Sequence, residues 1–232
     1  MTTFNLPPGE IHLWSASLDV SDEKVVELRR LLNPRELERA DRFRVPNAAR
    51  RFITARAVLR TLLGRMTDTD PAEVEFSYSE QGKPSVTGGP CFNSSDSGDT
   101  VIVAVAHAEI GVDVEGLRPL PNPDRLARRI CTDRELEQLA AIPDHQFGAC
   151  LLRLWTFKEA ALKAVGLGLP GGLRNVEVDF RPGKPPQLRR LREHVNGWSL
   201  LTAEVDPSLL CSIVVRGADW RLVSRAFDLQ SA

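Results

Sequence analysis

No two of the four cysteines, Cys91, Cys131, Cys150 and Cys211, lie close together in this sequence, a spacing that suits neither a zinc site nor a disulfide framework. The four histidines, His12, His107, His145 and His194, form no cluster, so each defaults to a structural or surface role. No apolar run approaches the ~18 residues needed to span a bilayer. The start, MTTFNLPPGE, lacks the basic-then-apolar pattern of a secretory leader, and the expected compartment is the cytoplasm. Lysine is scarce, 5 residues against 25 arginines, and there is one tyrosine. A net charge of −1 gives no global pull toward nucleic acid or membrane. What remains is an ordinary globular composition, 42% hydrophobic and 26% charged over 232 residues, enough for one large domain or two modest ones.

The chain repeats itself. Val74 to Pro84 (VEFSYSEQGKP) resembles Val176 to Pro185 (VEVDFRPGKP), with an offset of 101 between the glycines Gly82 and Gly183. Both alternate as strands do and then turn at Gly-Lys-Pro. Arg35-Glu36-Leu37-Glu38 recurs as Arg134-Glu135-Leu136-Glu137 at offset 99, and Ala57 to Arg60 as Ala160 to Lys163 at offset 103. Thr100 to Ala106 and Leu209 to Val215 are apolar strand candidates in matching places. Four matches in one order predict an α+β fold of two similar halves, residues 1–106 and 107–232, related by a pseudo-two-fold axis, with a cleft between them where a ligand would sit.

Three constellations carry chemistry. In Ile110 to Glu115 (IGVDVE) the alternation predicts a strand, and Asp113 and Glu115, two apart, leave the same face. Two carboxylates ~4–6 Å apart repel by roughly 3–4 kcal/mol at an effective dielectric near 20 unless a cation sits between them. Oxygen ligands without histidine or cysteine suit Mg²⁺ or Mn²⁺; the bland alternative is a solvated strand end. Leu154 to Gly166 (LWTFKEAALKAVG) predicts a helix. Lys158 falls inside its apolar arc, with Glu159 and Lys163 on the flank one turn apart. One alternative there is a surface Glu–Lys pair with a snorkelling Lys158. The other makes Glu159 a metal ligand or base and the lysines phosphate partners. Finally Gly82-Lys83-Pro84, with the polar stretch Phe92 to Gly98 (FNSSDSG) read as a loop, offers an anion nest or simply a turn and a loop. Between Arg35 and Arg65 there are nine arginines and three acids, a cluster for phosphate or a solvated helix face.

These residues resemble the 4′-phosphopantetheinyl transferases, whose paired signature is G-[IV]-D-[IV]-E followed by W-x-x-K-E-[AS]-x-x-K; the G-K-P and F-N-x-S-x-S-G stretches also match. Length and duplication resemble the long Sfp-type branch. The resemblance implies transfer of the phosphopantetheine arm of coenzyme A to a serine of an apo acyl or peptidyl carrier protein, releasing adenosine 3′,5′-bisphosphate. It implies Asp113, Glu115 and Glu159 as Mg²⁺ ligands, with Mn²⁺ the alternative ion and Glu159 also a candidate base. Lys158 and Lys163 would lie at the phosphates, and Lys83, Ser95, Asp96, Arg39 and Arg51 at coenzyme A. Asp96 stands where the family usually has histidine, and a carboxylate there would repel the pyrophosphate unless it turns away, is protonated or contacts the metal. Phe52 stands where some members have a small hydroxyl residue. The reading is of a monomer with no nucleic acid or membrane partner. Its rivals are a degenerate family member that binds without transfer, an unrelated Mg²⁺-dependent phosphotransferase, or an arginine-rich nucleic-acid module.

Overall fold

A computed structural model describes residues 6–167, 172–181, 184–191 and 197–229. The first five residues, Gly183 of the second Gly-Lys-Pro turn, and His194 lie outside the described residues. The order of elements is β1 (Glu10–Ser17), α1 (Asp22–Arg29), α2 (Pro34–Asp41), α3 (Pro46–Thr67), β2 (Ser77–Tyr78), β3 (Pro84–Ser85), β4 (Cys91–Ser97) and β5 (Thr100–Ala106). It continues with β6 (Ile110–Gly116), α4 (Pro123–Ile130), α5 (Asp133–Ala140), α6 (Asp144–Ala164), β7 (Val176–Asp179), β8 (Gln187–Leu191), β9 (Trp198–Ala203) and β10 (Leu209–Arg216). A last strand, β11 (Arg221–Ala226), follows. The same sequence of one strand, two short helices, one long helix and four strands thus occurs twice.

Pairing repeats as well. β1, β5 and β4 are neighbours in one sheet, as β6, β10 and β9 are in the other, every one of these pairs antiparallel. The division at residue 106 is not clean, because β11 crosses back and pairs parallel with β1, closing the first sheet with the far end of the chain.

Strand alternation distributes the cores. Val101, Val103 and Val105 of β5 pack under α3, while Ile102, Ala104 and Ala106 face a core shared with Ile110, Val112 and Val114 of β6 and Ile213 of β10. A separate core under α6 holds Leu151, Leu154, Phe157 and Val214. The even positions of β6 therefore join the two sheets. Its odd positions, Gly111, Asp113 and Glu115, are left for α6.

Two details of the sequence reading change. Phe92 to Ser97 is strand β4 and not a polar loop. Its period-two pattern buries Phe92 against the α3 core while Asn93 and Ser95 point to the other face, where their side chains find partners on β6. The long helices also correspond in a different register. α3 begins at Pro46 and α6 at Asp144, an offset of 98. Arg60 is then the counterpart of Lys158, not of Lys163. The Ala-Leu-rich match at offset 103 was a helical near-repeat, about a turn and a half out of place.

Candidate active site

Gly111 decides how α6 meets β6. A Cβ on it would lie 2.0 Å from the Ala160 carbonyl oxygen and 2.4 Å from the Ala164 nitrogen. Only glycine lets the helix backbone rest on the strand at this point. That contact lays Glu159 and Lys163 over Asp113 and Glu115. The Thr156 and Ser212 hydroxyls, 2.6 Å apart, pin the same helix to β10.

At the centre Asp113 is 6% exposed. Its Oδ1 accepts from Lys163 Nζ at 2.7 Å and from Ser95 Oγ at 2.9 Å, and Lys163 also donates to Ser95 Oγ at 2.9 Å. Ser95 comes from β4 of the first copy, so the site draws on both halves. Asn93 Oδ1 and Ser97 Oγ accept from the backbone amides of Val112 and Gly116, both at 2.9 Å. The contact from β4 to β6 is thus made by side chains rather than a backbone ladder.

Two carboxylate oxygens in this site, Asp113 Oδ2 and Glu159 Oε1, are buried and have no hydrogen-bond partner. Burial pushes the Asp113 carboxyl above its usual range, against the pull of Lys163 and Ser95. Glu159 is pushed up by burial first and then by the charges of Asp113 and Glu115. Glu115 is more open, and Arg118 holds it at 2.7 Å. Among the described residues no three His, Cys, Asp or Glu side chains are gathered as a ready-made metal cage. The donors nevertheless suit Mg²⁺. They are hard oxygens, two are orphaned, and their charges repel, with the Lys163 ammonium engaging only Asp113 Oδ1 among them. Mg²⁺ is ordinarily bound by one or two carboxylates plus substrate phosphates, not by a complete protein cage.

The raised carboxyls give a pH signature. The folded chain holds protons there that the unfolded chain, with ordinary values of 3.8 and 4.5, has already released. These two groups therefore make stability fall as pH rises through that window and up to the folded values. Without divalent ion, the melting temperature of Asp113→Asn or Glu159→Gln should depend less steeply on pH there than that of the unsubstituted chain. Parallel melting curves would count against the burial described.

Lys158 is not at a phosphate. It is fully buried. Its Nζ donates to Glu135 Oε2 at 2.6 Å and to the carbonyls of Ile130, Val176 and Leu173 at 2.8, 2.8 and 3.1 Å. Four acceptors exceed the three protons of an ammonium, so none is left for a ligand. Lys83, expected at coenzyme A, also points inward. Its Nζ donates to Ile110 O at 3.0 Å and Ala164 O at 2.5 Å, tying the β2–β3 hairpin to the start of β6 and the end of α6. Lys83→Met should cost about 2 kcal/mol of stability, read in urea unfolding.

Asp96, on the face of β4 opposite Ser95, turns away from the acidic centre, its Oδ2 3.7 Å from Arg51 Nη2. Arg39 is exposed and stacks over Phe52, 4.9 Å from the ring centre. The arginine cluster is largely paired off: Arg42 with Glu38, Arg50 with Asp22, Arg51 with Asp96, and Arg56 and Arg60 with buried Glu36. All four cysteines are free, and burial pushes the thiols of Cys131 and Cys211 up to about 12, out of the range of reactive thiols. No helix among the described residues is long and apolar enough to cross a membrane.

A sheet-and-helix unit is thus used twice, with an acidic, lysine-bearing centre drawn from both copies. The family model described as 4'-phosphopantetheinyl transferase superfamily matches residues 109–214, from β6 nearly to the end of β10. The 4'-phosphopantetheinyl transferase HetI of Nostoc sp. is 36% identical over 218 residues, 91% of this chain and 90% of its own. The 4'-phosphopantetheinyl transferase Sfp of Bacillus subtilis is 26% identical over 203 residues, 87% of this chain and 89% of its own. A holo-(acyl-carrier-protein) synthase from Bacillus anthracis, solved in complex with CoA (3',5'-ADP), is 22% identical over 48% of this chain and 97% of its own, with a TM-score of 0.40. The chain belongs to the 4′-phosphopantetheinyl transferases, and within them to the Sfp type. It is an enzyme of phosphopantetheinyl transfer.

Proposed function

We propose that the chain moves the 4′-phosphopantetheine of coenzyme A onto a serine hydroxyl of an apo carrier protein, with the junction between its two copies as the active site. The observation that carries this reading is the pair of orphaned buried oxygens, Asp113 Oδ2 and Glu159 Oε1, beside the Lys163 ammonium. Asp113, Glu115 and Glu159 would hold Mg²⁺. When bound, the ion would neutralise charge on the pyrophosphate and on the departing phosphate oxygen. The serine oxygen bonds to the phosphorus bearing the pantetheine arm, and the bond from that phosphorus to the bridging oxygen breaks. Adenosine 3′,5′-bisphosphate leaves with the electron pair.

The chain's own groups supply the rest. Glu159, whose carboxylate is raised by burial and by Asp113, is suited to accept the serine proton. Lys163 is partly exposed and can turn from Asp113 to the phosphates while staying in the site. Its charge serves the transition state more than the resting substrate. Ser95 would meet the coenzyme from within the acidic centre, and Arg39 and Arg51, the latter paired with Asp96, from the other face of β4. Lys83 acts there through the hairpin it anchors, and Lys158 is not a ligand contact.

The test is incubation of several apo acyl and peptidyl carriers with the enzyme, coenzyme A and Mg²⁺, read by intact mass. A phosphopantetheine adduct that disappears with EDTA supports the proposal; no adduct on any carrier overturns it in favour of a binding-only protein. Lys163→Met should cut turnover ~10²-fold and cost about 1–3 kcal/mol in urea unfolding, since it strips the buried Asp113 carboxyl of its cation.

A further inference from the structure

The buried cation next to Glu159 has a twin. In the second copy, Thr132 and Glu135 form a capping box at the start of α5, and the same glutamate binds Lys158 through Oε2 and the Val178 amide through Oε1. In the first copy, Asn33 and Glu36 cap α2 in the same way. Glu36 Oε2 accepts from Arg60 Nε at 2.7 Å, and Arg60 Nη1 reaches the carbonyls of Pro71, Val74 and Ala72 at 2.8, 3.1 and 3.3 Å. Both cations are fully buried. Each copy therefore fastens its long helix by a clamp, in which a capping glutamate and a set of chain carbonyls hold a fully buried cation; in the first copy Glu36 also pairs with Arg56 through Oε1.

The two clamps differ in what stands next to them. After Arg60 comes Thr61, whose hydroxyl donates back to Ala57 O within its own helix. After Lys158 comes Glu159. Successive helix positions are about 100° apart, so fixing the direction of Lys158 fixes the direction of Glu159. The clamp grips Lys158 from the end of α4, from α5, from the turn at Leu173–Asn175 and from β7. The Gly111 contact sets how near α6 comes to β6 but not its rotation, which falls to the side chains that hold the helix: the Thr156–Ser212 hydroxyl bond on the β10 side and, about half a turn further on at the residue next to Glu159, the Lys158 clamp.

We propose that Lys158 is a positioning residue: the Glu135–Lys158 clamp sets the rotation of α6 and so aims Glu159 at Asp113 and the divalent ion they share. The proposal rests on the reading of Glu159 as a metal ligand. The first-copy clamp is the internal control, because it bears the same structural duty with no ligand beside it.

The experiment exchanges the cations. Lys158→Arg and Arg60→Lys each keep the charge, so both should fold. The broader guanidinium has to spread the carbonyls around Lys158 and roll α6. In the presence of coenzyme A, calorimetric Mg²⁺ titration should give a dissociation constant raised at least five-fold in Lys158→Arg and changed less than two-fold in Arg60→Lys. Transfer kcat should fall in Lys158→Arg with the KM for coenzyme A unchanged, since Lys158 touches no substrate. Equal Mg²⁺ affinities in the two variants, or a Lys158→Arg protein that binds Mg²⁺ as the unsubstituted chain does, would overturn the proposal. Should Lys158→Arg fail to fold, Glu135→Gln, which weakens the grip without enlarging it, carries the same comparison against Glu36→Gln. Absence of Mg²⁺ binding in the unsubstituted chain would overturn the metal-site reading itself, and is told apart because it appears before any substitution is made.

Discussion

Asp113→Asn yields a folded protein that transfers no phosphopantetheine above ~10⁻³ of the unsubstituted rate, a loss of about 4 kcal/mol of transition-state stabilisation. The asparagine keeps the size and planar shape of the side chain and can still accept from Ser95 and Lys163 through one oxygen. What it removes is the charge, and with it one of the two orphaned acidic oxygens. Stability should hold or improve. Asp113 is a carboxylate that burial already penalises, and its partner Lys163 is open enough to find water. The opposite changes in activity and stability are the diagnostic. A residue kept for folding loses both on substitution, whereas a ligand kept at a cost to folding loses one and gains the other. Glu115→Gln should be milder, because Glu115 is more exposed and already shared with Arg118. The measurements are single-turnover transfer read by intact mass and thermal melts with and without Mg²⁺. Substantial transfer by a folded Asp113→Asn protein would remove the acidic centre from the mechanism.

How much of this was legible in the sequence depends on the distance over which each residue finds its partner. The strand Ile110–Gly116 and the helix ending at Ala164 are local patterns, and both formed where alternation and helical periodicity placed them. The grouping of Glu159 with Asp113 was implied by the family resemblance and not by spacing, since 46 residues separate them; the resemblance put Lys163 at the phosphates, and its ion pair with Asp113, 50 residues away, had no local signal. Lys158 was misread for the same reason. A charged residue within an apolar arc can face either a ligand or a buried counter-ion, and its counter-ion lies 23 residues upstream. The signal existed: Thr132-x-x-Glu135 is a capping box, and its recurrence as Asn33-x-x-Glu36 before Arg60 marks a glutamate with a second duty in both copies. The loop assignment of Phe92 to Gly98 failed because serine and asparagine usually signal turns. Here they serve as the side-chain rungs between β4 and β6, a role no single-strand pattern reports. The return of β11 to β1 is a contact between the ends of the chain, which local periodicity does not encode.

Gly111→Ala should be the most damaging single-methyl change in the chain. The residue sits within β6, where glycine is otherwise a weakness that gives up side-chain packing. Its use is on the α6 side, where the new Cβ would meet the Ala160 carbonyl oxygen at 2.0 Å, the Ala164 nitrogen at 2.4 Å and the Ala164 Cα at 2.9 Å. These are backbone atoms of a helix held from behind by the Glu135–Lys158 clamp and at its end by Lys83, so no side chain can swing away to make room. The helix has to lift from the sheet. Overpacking of a well-filled core costs typically 1–3 kcal/mol, and a clash that only backbone movement relieves belongs at about 3 kcal/mol or above. Lifting α6 also carries Glu159 and Lys163 away from Asp113, so transfer should fall by at least ~10²-fold even in the fraction that folds, since a displacement of about 1 Å at a reacting centre has that effect. Gly148, near the start of the same helix and with nothing within 4 Å of a built Cβ, is the control. Gly148→Ala should leave transfer unchanged and raise stability slightly through helix propensity. Urea unfolding and transfer assays on the two variants decide the matter. A Gly111→Ala protein as stable and active as Gly148→Ala would mean that α6 does not rest on β6 at this glycine, and the placement of every acidic residue in the site would fall with it.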